Sequence, residues 1–396
     1  MSYENVRFRA AKHDLAEAVG WVARNLPARP TQPILRAMVF EATFEGLEIV
    51  GYDYEVSTQI RISAEVEQPG RFAVNGKLVA DIVSKLPNMP IEMNFDGTKV
   101  FVTCGQSNFE LPSMTLEDYP ALPEIPAATG TIDQKLFSDA IHQVVVAAGR
   151  DETLPMLTGV RMETEGNHVT MAATDRFRLA VRTFEWNQIP EGNAALIIPA
   201  KTLTEAARSL ETSSSEPVTL AFGDGSDGKA IGEGGMLGIL GEERRTTTRL
   251  LDTDFPKFGP LLPTHHSSLA AIQIEPLREA IRRVSLVTDR NARIQMSFSE
   301  GSLVLSAHGD EAGRAEETIP CDFYGEPLTV AFNPAYLSDG LTAVDSDRVV
   351  MGFTQPSRPA IMIPEPEELP TPDESGMYPT PETYYTYLLM PLRLSN

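Results

Sequence analysis

Leu251-Asp252-Thr253-Asp254-Phe255-Pro256 repeats the cadence of Leu116-Glu117-Asp118-Tyr119-Pro120, and this echo decides how the whole chain is read. Upstream of the first phrase, Val6 to Ala10 alternates as a strand. From about Lys12, Leu15, Ala18, Val19 and Val22 then fall on one helical face. Strand patterns follow at 34–40, 47–52 and 57–62. A second helix over 77–86 places Leu78, Ile82 and Leu86 together, before strands at 91–95, 99–104 and 109–114.

The same order is then written again. A short strand at 131–134 leads into a helix carrying Leu136, Ala140, Ile141, Val144 and Val145 inward. Strands at 157–163, 169–173 and 177–184 precede a helix from Lys201 with Leu203, Ala206, Ala207 and Leu210 on one face. A third copy opens at Ala271, with Leu277, Ala280, Ile281 and Val284 as its first stripe and Leu337, Leu341 and Val344 as its second. Leu15, Leu136 and Leu277 stand 121 and 141 residues apart (136−15, 277−136); Leu78, Leu203 and Leu337 stand 125 and 134 apart (203−78, 337−203). The spacing predicts an α+β protein of three similar domains, over 1–124, 130–263 and 268–396, each built of two βαβββ units. Two stretches break the pattern: a glycine-rich insertion at 223–241, and a Pro- and Glu-rich segment at 365–382 expected to be a flexible loop.

Composition agrees with a β-rich globular protein, since 30 prolines and 28 glycines among 396 residues supply many turns. Two cysteines, Cys104 and Cys321, make neither a disulfide framework nor a cysteine zinc site and suit a reducing cytoplasm. Residues 1–14 carry no apolar signal core, and no run approaches a membrane span. A net charge of −22 argues against general attraction to nucleic acid, although charge is free to concentrate on one face.

Catalytic chemistry is not evident. Gly223 to Gly228 matches G-x-G-x-x-G, but it runs into more glycine rather than opening a phosphate-binding helix. His265-His266 point apart, and the other histidines have no zinc spacing. Asp252 and Asp254 resemble a glycosidase pair in spacing, yet Glu117 and Asp118 stand at the matching domain end, which favours a repeated structural role. Neither a cofactor nor a metal is expected.

Two features point instead to binding. Val169 to Val181 reads as a hairpin whose corner, Thr174-Asp175-Arg176-Phe177-Arg178-Leu179-Ala180, is either scaffold or a binding rim. Its positional equivalents, Gly51-Tyr52-Asp53 and His308-Gly309-Asp310, lack the Arg-Leu-Ala continuation. Basic residues also flank the helical stripes: Lys12 and Arg24, Lys77 and Lys85, Lys201 and Arg208, Arg278 and Arg282, with Arg150 just beyond a helix. They read as ordinary solvated faces, or as one shared surface for phosphates.

Four landmarks within the threefold repeat resemble the bacterial DNA polymerase III beta subunit, the sliding clamp family. They are Arg29-Pro30-Thr31-Gln32-Pro33-Ile34-Leu35, the Ala173 to Ala180 corner, Phe332-Asn333-Pro334-Ala335-Tyr336, and Leu389-Met390-Pro391-Leu392-Arg393-Leu394. The resemblance implies three domains per chain and two chains closed head to tail into a ring, with helices inside, sheets outside and duplex DNA encircled. It implies a non-catalytic processivity subunit in the cytoplasm, on the nucleoid during replication. Its partners would be the replicative polymerase alpha subunit, the clamp loader, and other polymerases and repair proteins bearing docking peptides. By the same resemblance the peptide pocket maps to Leu157, Thr174, Arg176, Phe177, Arg178, Leu179, Pro256, Leu261, Leu388, Met390 and Leu392, with Arg178 fixing the peptide's polar part. Duplex contacts map to Arg29, Lys77, Arg150 and Lys201, and the dimer interface to Phe109, Leu111 and Leu286. Asp151, Pro155 and Met156 depart from the polar or aromatic residues usual there.

Overall fold

The computed structural model describes residues 5–189, 191–210, 216–223, 232, 235–288, 293–309 and 312–394. Within them six helices stand between antiparallel strands: α1 (Lys12–Asn25), α2 (Gly76–Lys85), α3 (Gln134–Val145), α4 (Ala200–Leu210), α5 (Ile274–Val284) and α6 (Pro334–Ala343). The fourth residue of each is fully buried: Leu15, Val79, Phe137, Leu203, Leu277 and Leu337. The expected repeat is present, but the first expected inward leucine of α2 and of α3 is one residue off the core-facing position. Leu78 is 44% exposed while Val79 and Val83 face the core, and Leu136 is only half-buried beside the covered Phe137. Following leucine alone misled, because valine and phenylalanine fill the inward position equally well.

By internal contacts the chain forms two compact units, Met1–Ser138 with Trp186–Leu251 and Asp139–Glu185 with Asp252–Asn396. The middle repeat therefore contributes to both, because its strands extend the sheets of its neighbours. In the first unit Arg244–Arg249 pairs antiparallel with Val56–Ile62, Thr246 opposite Thr58. One sheet thus continues from 128–132 through 218–221, 236–240 and 244–249 into 56–62, 46–52, 37–43 and 70–75. A second sheet runs in the order 65–68, 6–10, 91–95, 99–104 and 107–112. The Phe40 and Phe72 rings stack 5.1 Å apart in the core that α1 and α2 share with these strands. Arg244 binds the second repeat to the first. It pairs with Glu17 of α1, donates to the Ser209 carbonyl of α4 at 2.8 Å, and lies 5.6 Å from the Trp21 ring.

The second unit uses the same join. Arg178–Glu185 pairs with Tyr385–Leu389, Leu179 opposite Leu388 and Ala180 opposite Tyr387. The sheet then continues through 360–364, 348–353, 268–273 and 322–324. In both joins the fourth strand of one repeat, the third after its first helix, pairs with the last strand of the next. The remaining strands of these two kinds are Ser107–Pro112, last in the first repeat, and Gly313–Pro320, fourth in the third repeat. Each of them ends its sheet.

Both irregular stretches differ from expectation. Residues 224–231, 233 and 234, with most of the G-x-G-x-x-G motif, lie outside the described residues, as does Asp310. Met236–Leu240 is a regular strand between 218–221 and 244–249, so the insertion is shorter than its glycine content implied. Residues 365–382 are held down rather than loose. Leu369 and Tyr378 pack on Leu269, Ala271, Val350, Ile361 and Ile363, and Tyr378–Pro379 pairs with His265–His266. Two apolar anchors outweigh the Pro- and Glu-rich composition around them.

His266 is the buried fastening of this strap. The Thr380 hydroxyl donates to the Pro263 carbonyl at 2.7 Å, so it accepts from His266 Nε2 at 2.8 Å, and the ring is the neutral Nε2–H tautomer. Burial first, then the neighbouring His265, pushes its pKa down from 6.5 to about 4. The unfolded chain therefore takes up the proton first. Stability should fall as pH drops through 6.5 and level off below about 4, with a total loss of roughly 3 kcal/mol. Urea unfolding across that range checks this: His266→Gln should flatten the acid slope, and an unchanged slope would assign it to other groups.

Candidate functional site

The Thr174 corner is built by its own side chains. The Thr174 hydroxyl donates to the Arg178 carbonyl at 2.6 Å and accepts from the Arg176 amide at 3.2 Å. Asp175 Oδ1 accepts from the amides of Phe177 and Arg178 at 3.0 and 3.1 Å. Arg176 is thereby held at φ 79°, a left-handed conformation that costs a non-glycine residue roughly 1–2 kcal/mol. The first repeat makes the same corner, with Tyr54 at φ 74° and Asp53 Oδ1 accepting from the amides of Glu55 and Val56. The turn is common scaffold; its side chains are not. Where the first repeat has Glu55 and Val56, the second has Phe177 and Arg178.

The turn throws Phe177 outward and folds Arg178 inward. Phe177 is 55% exposed and stacks on Tyr336 with ring centres 6.1 Å apart. The Arg178 guanidinium lies 4.3 Å from the Tyr336 ring centre, with Nε on Asp175 Oδ2 at 2.9 Å and Nη1 on Asp339 Oδ2 at 2.5 Å. Tyr336 and Asp339 share one face of α6, three residues apart. The helix starts there because Pro334 presets its first turn and Asn333 Oδ1 caps the amides of Ala335 and Tyr336. Tyr387, on the strand that joins the repeats, donates to the Tyr336 carbonyl at 2.8 Å. A Cβ on Gly340 would stand 2.6 Å from the Tyr387 ring, so that helix position must remain glycine.

These elements enclose a cleft of about 580 Å³, whose lining includes Arg150, Leu157, Arg176, Phe177, Tyr336 and Asp339. Its opposite wall is the loop after α3, closed by the Gly149 amide on the Leu157 carbonyl at 2.7 Å. Asp151 accepts from the Thr153 amide and hydroxyl, bonds that, led by the hydroxyl, hold its carboxyl below the usual range, with a smaller contribution from Arg176. Arg150, Arg176 and Arg178 face Asp151, Asp175 and Asp339 across one lining, so the cleft carries balanced charge. Recognition there depends on shape and apolar contact more than on net attraction.

Leu157, Arg176, Phe177 and Arg178 of the expected pocket line this cleft. Met390 adjoins it, its amide donating to the Phe177 carbonyl at 2.9 Å. Leu261, Met390 and Leu392 present exposed apolar side chains, and Pro256 is exposed. Leu179 and Leu388 are instead a covered cross-strand pair, and Thr174 acts through the turn. Arg178 has Nε and Nη1 engaged by the chain's own carboxylates, Asp175 and Asp339. Tyr336 and Asp339 were missed as site residues, although Tyr336 closes one of the sequence landmarks.

Of the expected phosphate contacts, Lys77 and Lys201 are exposed second residues of α2 and α4, and Arg29 is exposed after α1. Arg150 is exposed as well, but it belongs to the cleft. Phe109 and Leu286 are exposed; Leu111 is buried at 6% exposure within the core cluster of the first repeat. No cluster suited to a metal occurs among the described residues, and no described helix is long and apolar enough to cross a membrane. Arg178→Ala should cost about 3 kcal/mol, because it strands Asp175 without its partner; denaturant unfolding checks this, and a loss under about 1 kcal/mol would contradict it.

Family models for the DNA polymerase III beta subunit match residues 6–123 (N-terminal domain), 131–257 (central domain) and 260–373 (C-terminal domain). The chain is 43% identical to the beta sliding clamp of Streptomyces coelicolor, over 99% of this chain and all of that one. Among solved structures, the DNA polymerase sliding clamp of Bacillus subtilis is 25% identical with a TM-score of 0.84, covering 99% of this chain and 100% of that one. A sliding clamp from Pseudomonas aeruginosa bound to griselimycin is 24% identical with a TM-score of 0.84, covering 98% and 100%.

Proposed function

The chain belongs to the DNA polymerase III beta subunit family, the beta sliding clamps, and we propose that it is the processivity clamp of a replicative DNA polymerase, working as a closed ring of two copies. The observation that supports the ring most directly is the pair of strands ending their sheets. Within the chain, a fourth strand twice pairs with the last strand of the next repeat. Gly313–Pro320 of one copy against Ser107–Pro112 of another continues that rule head to tail, and doing so twice leaves no such edge open. Phe109 and Leu286 are the exposed apolar residues of this interface. The three domains occupy 1–124, 130–263 and 268–396.

Enclosure explains how a chain of net charge −22 works on DNA. A ring is retained by topology, so it needs only scattered cations that exchange phosphates as it slides. Arg29, Lys77 and Lys201, with Arg150 at the edge of the cleft, fill that role. The clamp is not a catalyst; its work is to tether. The cleft and the exposed Phe177, Leu261, Met390 and Leu392 receive short peptides of the polymerase alpha subunit, the clamp loader, and other polymerases and repair proteins. Apolar side chains and a polarisable methionine accept differing aliphatic and aromatic anchors. The setting is the cytoplasm, on the nucleoid during replication.

Loaded onto nicked circular duplex, the protein should stay bound and leave once the circle is linearised; equal loss from both forms would refute topological binding. Met390→Ala should weaken a docking peptide by about 1–3 kcal/mol in a fluorescence titration. An unchanged affinity would remove Met390 from the rim.

A further inference from the structure

We propose that Asp339 is the positioning residue of the docking cleft: it holds Arg178 against α6 and so fixes the Phe177–Tyr336 wall that a peptide meets. The inference rests on the peptide-docking reading above. Arg178 has two carboxylate partners with different work. Asp175 belongs to the same corner, and its bond to Nε orders the turn locally. Asp339 lies on α6, 161 residues further along the chain, and its bond to Nη1 crosses from the second repeat to the third. Tyr336, three residues before it, receives Arg178 on its ring and Phe177 in a stack. Arg178 is therefore gripped by α6 at both Asp339 and Tyr336, and Phe177 is its immediate chain neighbour.

The side-chain exposures separate this role from folding. Arg178 is 8% exposed and Asp175 14%, whereas Asp339 is 47% exposed. Removing the Asp339 carboxylate leaves the buried guanidinium still neutralised by Asp175. The loss then falls on the geometry of the wall rather than on the core.

A short fluorescein-labelled peptide carrying Leu and Phe anchors, selected for binding to the wild-type protein, is titrated against variants of the full chain. Asp339→Ala should weaken it about tenfold, the order of one charge-assisted hydrogen bond, while native mass and thermal midpoint stay unchanged. Asp339→Glu, which restores the charge one methylene further out, should recover part of the loss. Combined with Arg178→Lys, the Asp339→Ala effect should be much smaller than alone, because both changes break one link. Wild-type affinity in Asp339→Ala would overturn the proposal. So would additive effects, which would make Asp339 a direct peptide contact, or a fall in thermal midpoint matching the loss of binding. If no such peptide binds the wild-type protein, the docking reading fails first, a result distinct from all of these.

Discussion

Antiparallel strand pairing across repeat boundaries is the constraint on which the rest of this molecule depends. In each repeat the fourth strand and the last strand look to another repeat for a partner, and an open edge is a row of unpaired amides and carbonyls. Here each interior edge is satisfied by the neighbouring repeat: 56–62 takes 244–249, and 178–185 takes 385–389. This is why the compact units divide the middle repeat rather than the linkers. Each join also has an arginine laid on an aromatic ring and on a carboxylate of the neighbouring repeat, Arg244 on Trp21 and Glu17, Arg178 on Tyr336 and Asp339.

The candidate site arises from that join. The corner at Thr174 is the same device as the corner at Asp53, with the same left-handed residue and the same aspartate capping two amides. What differs is the pair of side chains after it, and what the strand beyond meets. Since 178–185 pairs with the last strand of the chain, the corner is delivered beside Met390 and the start of α6. Phe177, a residue that would otherwise be an exposed liability, gains Tyr336 as a surface and becomes a wall. Architecture thus places an ordinary turn where two different side chains come to line a cleft.

Much of this was legible in the sequence. Period and spacing gave the helices and the threefold repeat, because an amphipathic stripe survives in any sequence that must bury one face. The register was less secure. Leu78 and Leu136 looked like counterparts of Leu15 and Leu203, while Val79 and Phe137 hold those positions. The strap at 365–382 was misread because composition averages over the two residues that anchor it, Leu369 and Tyr378. Leu179 shows a third limit: a strand's alternation says which residues share a face, but not which face the chain covers. The Arg178–Asp339 link spans 161 residues, and no local pattern announces it.

The account stands or falls on how the edges of Ser107–Pro112 and Gly313–Pro320 are satisfied. Cysteines introduced at Asn108 and Ala315, on strands that end their sheets, allow a direct reading by oxidative cross-linking in solution. Head-to-tail pairing predicts that the double variant forms a covalent dimer joined between 108 and 315, and that neither single variant does. Cross-links between like positions, 108 to 108 or 315 to 315, or a double variant that remains a single chain, would contradict it.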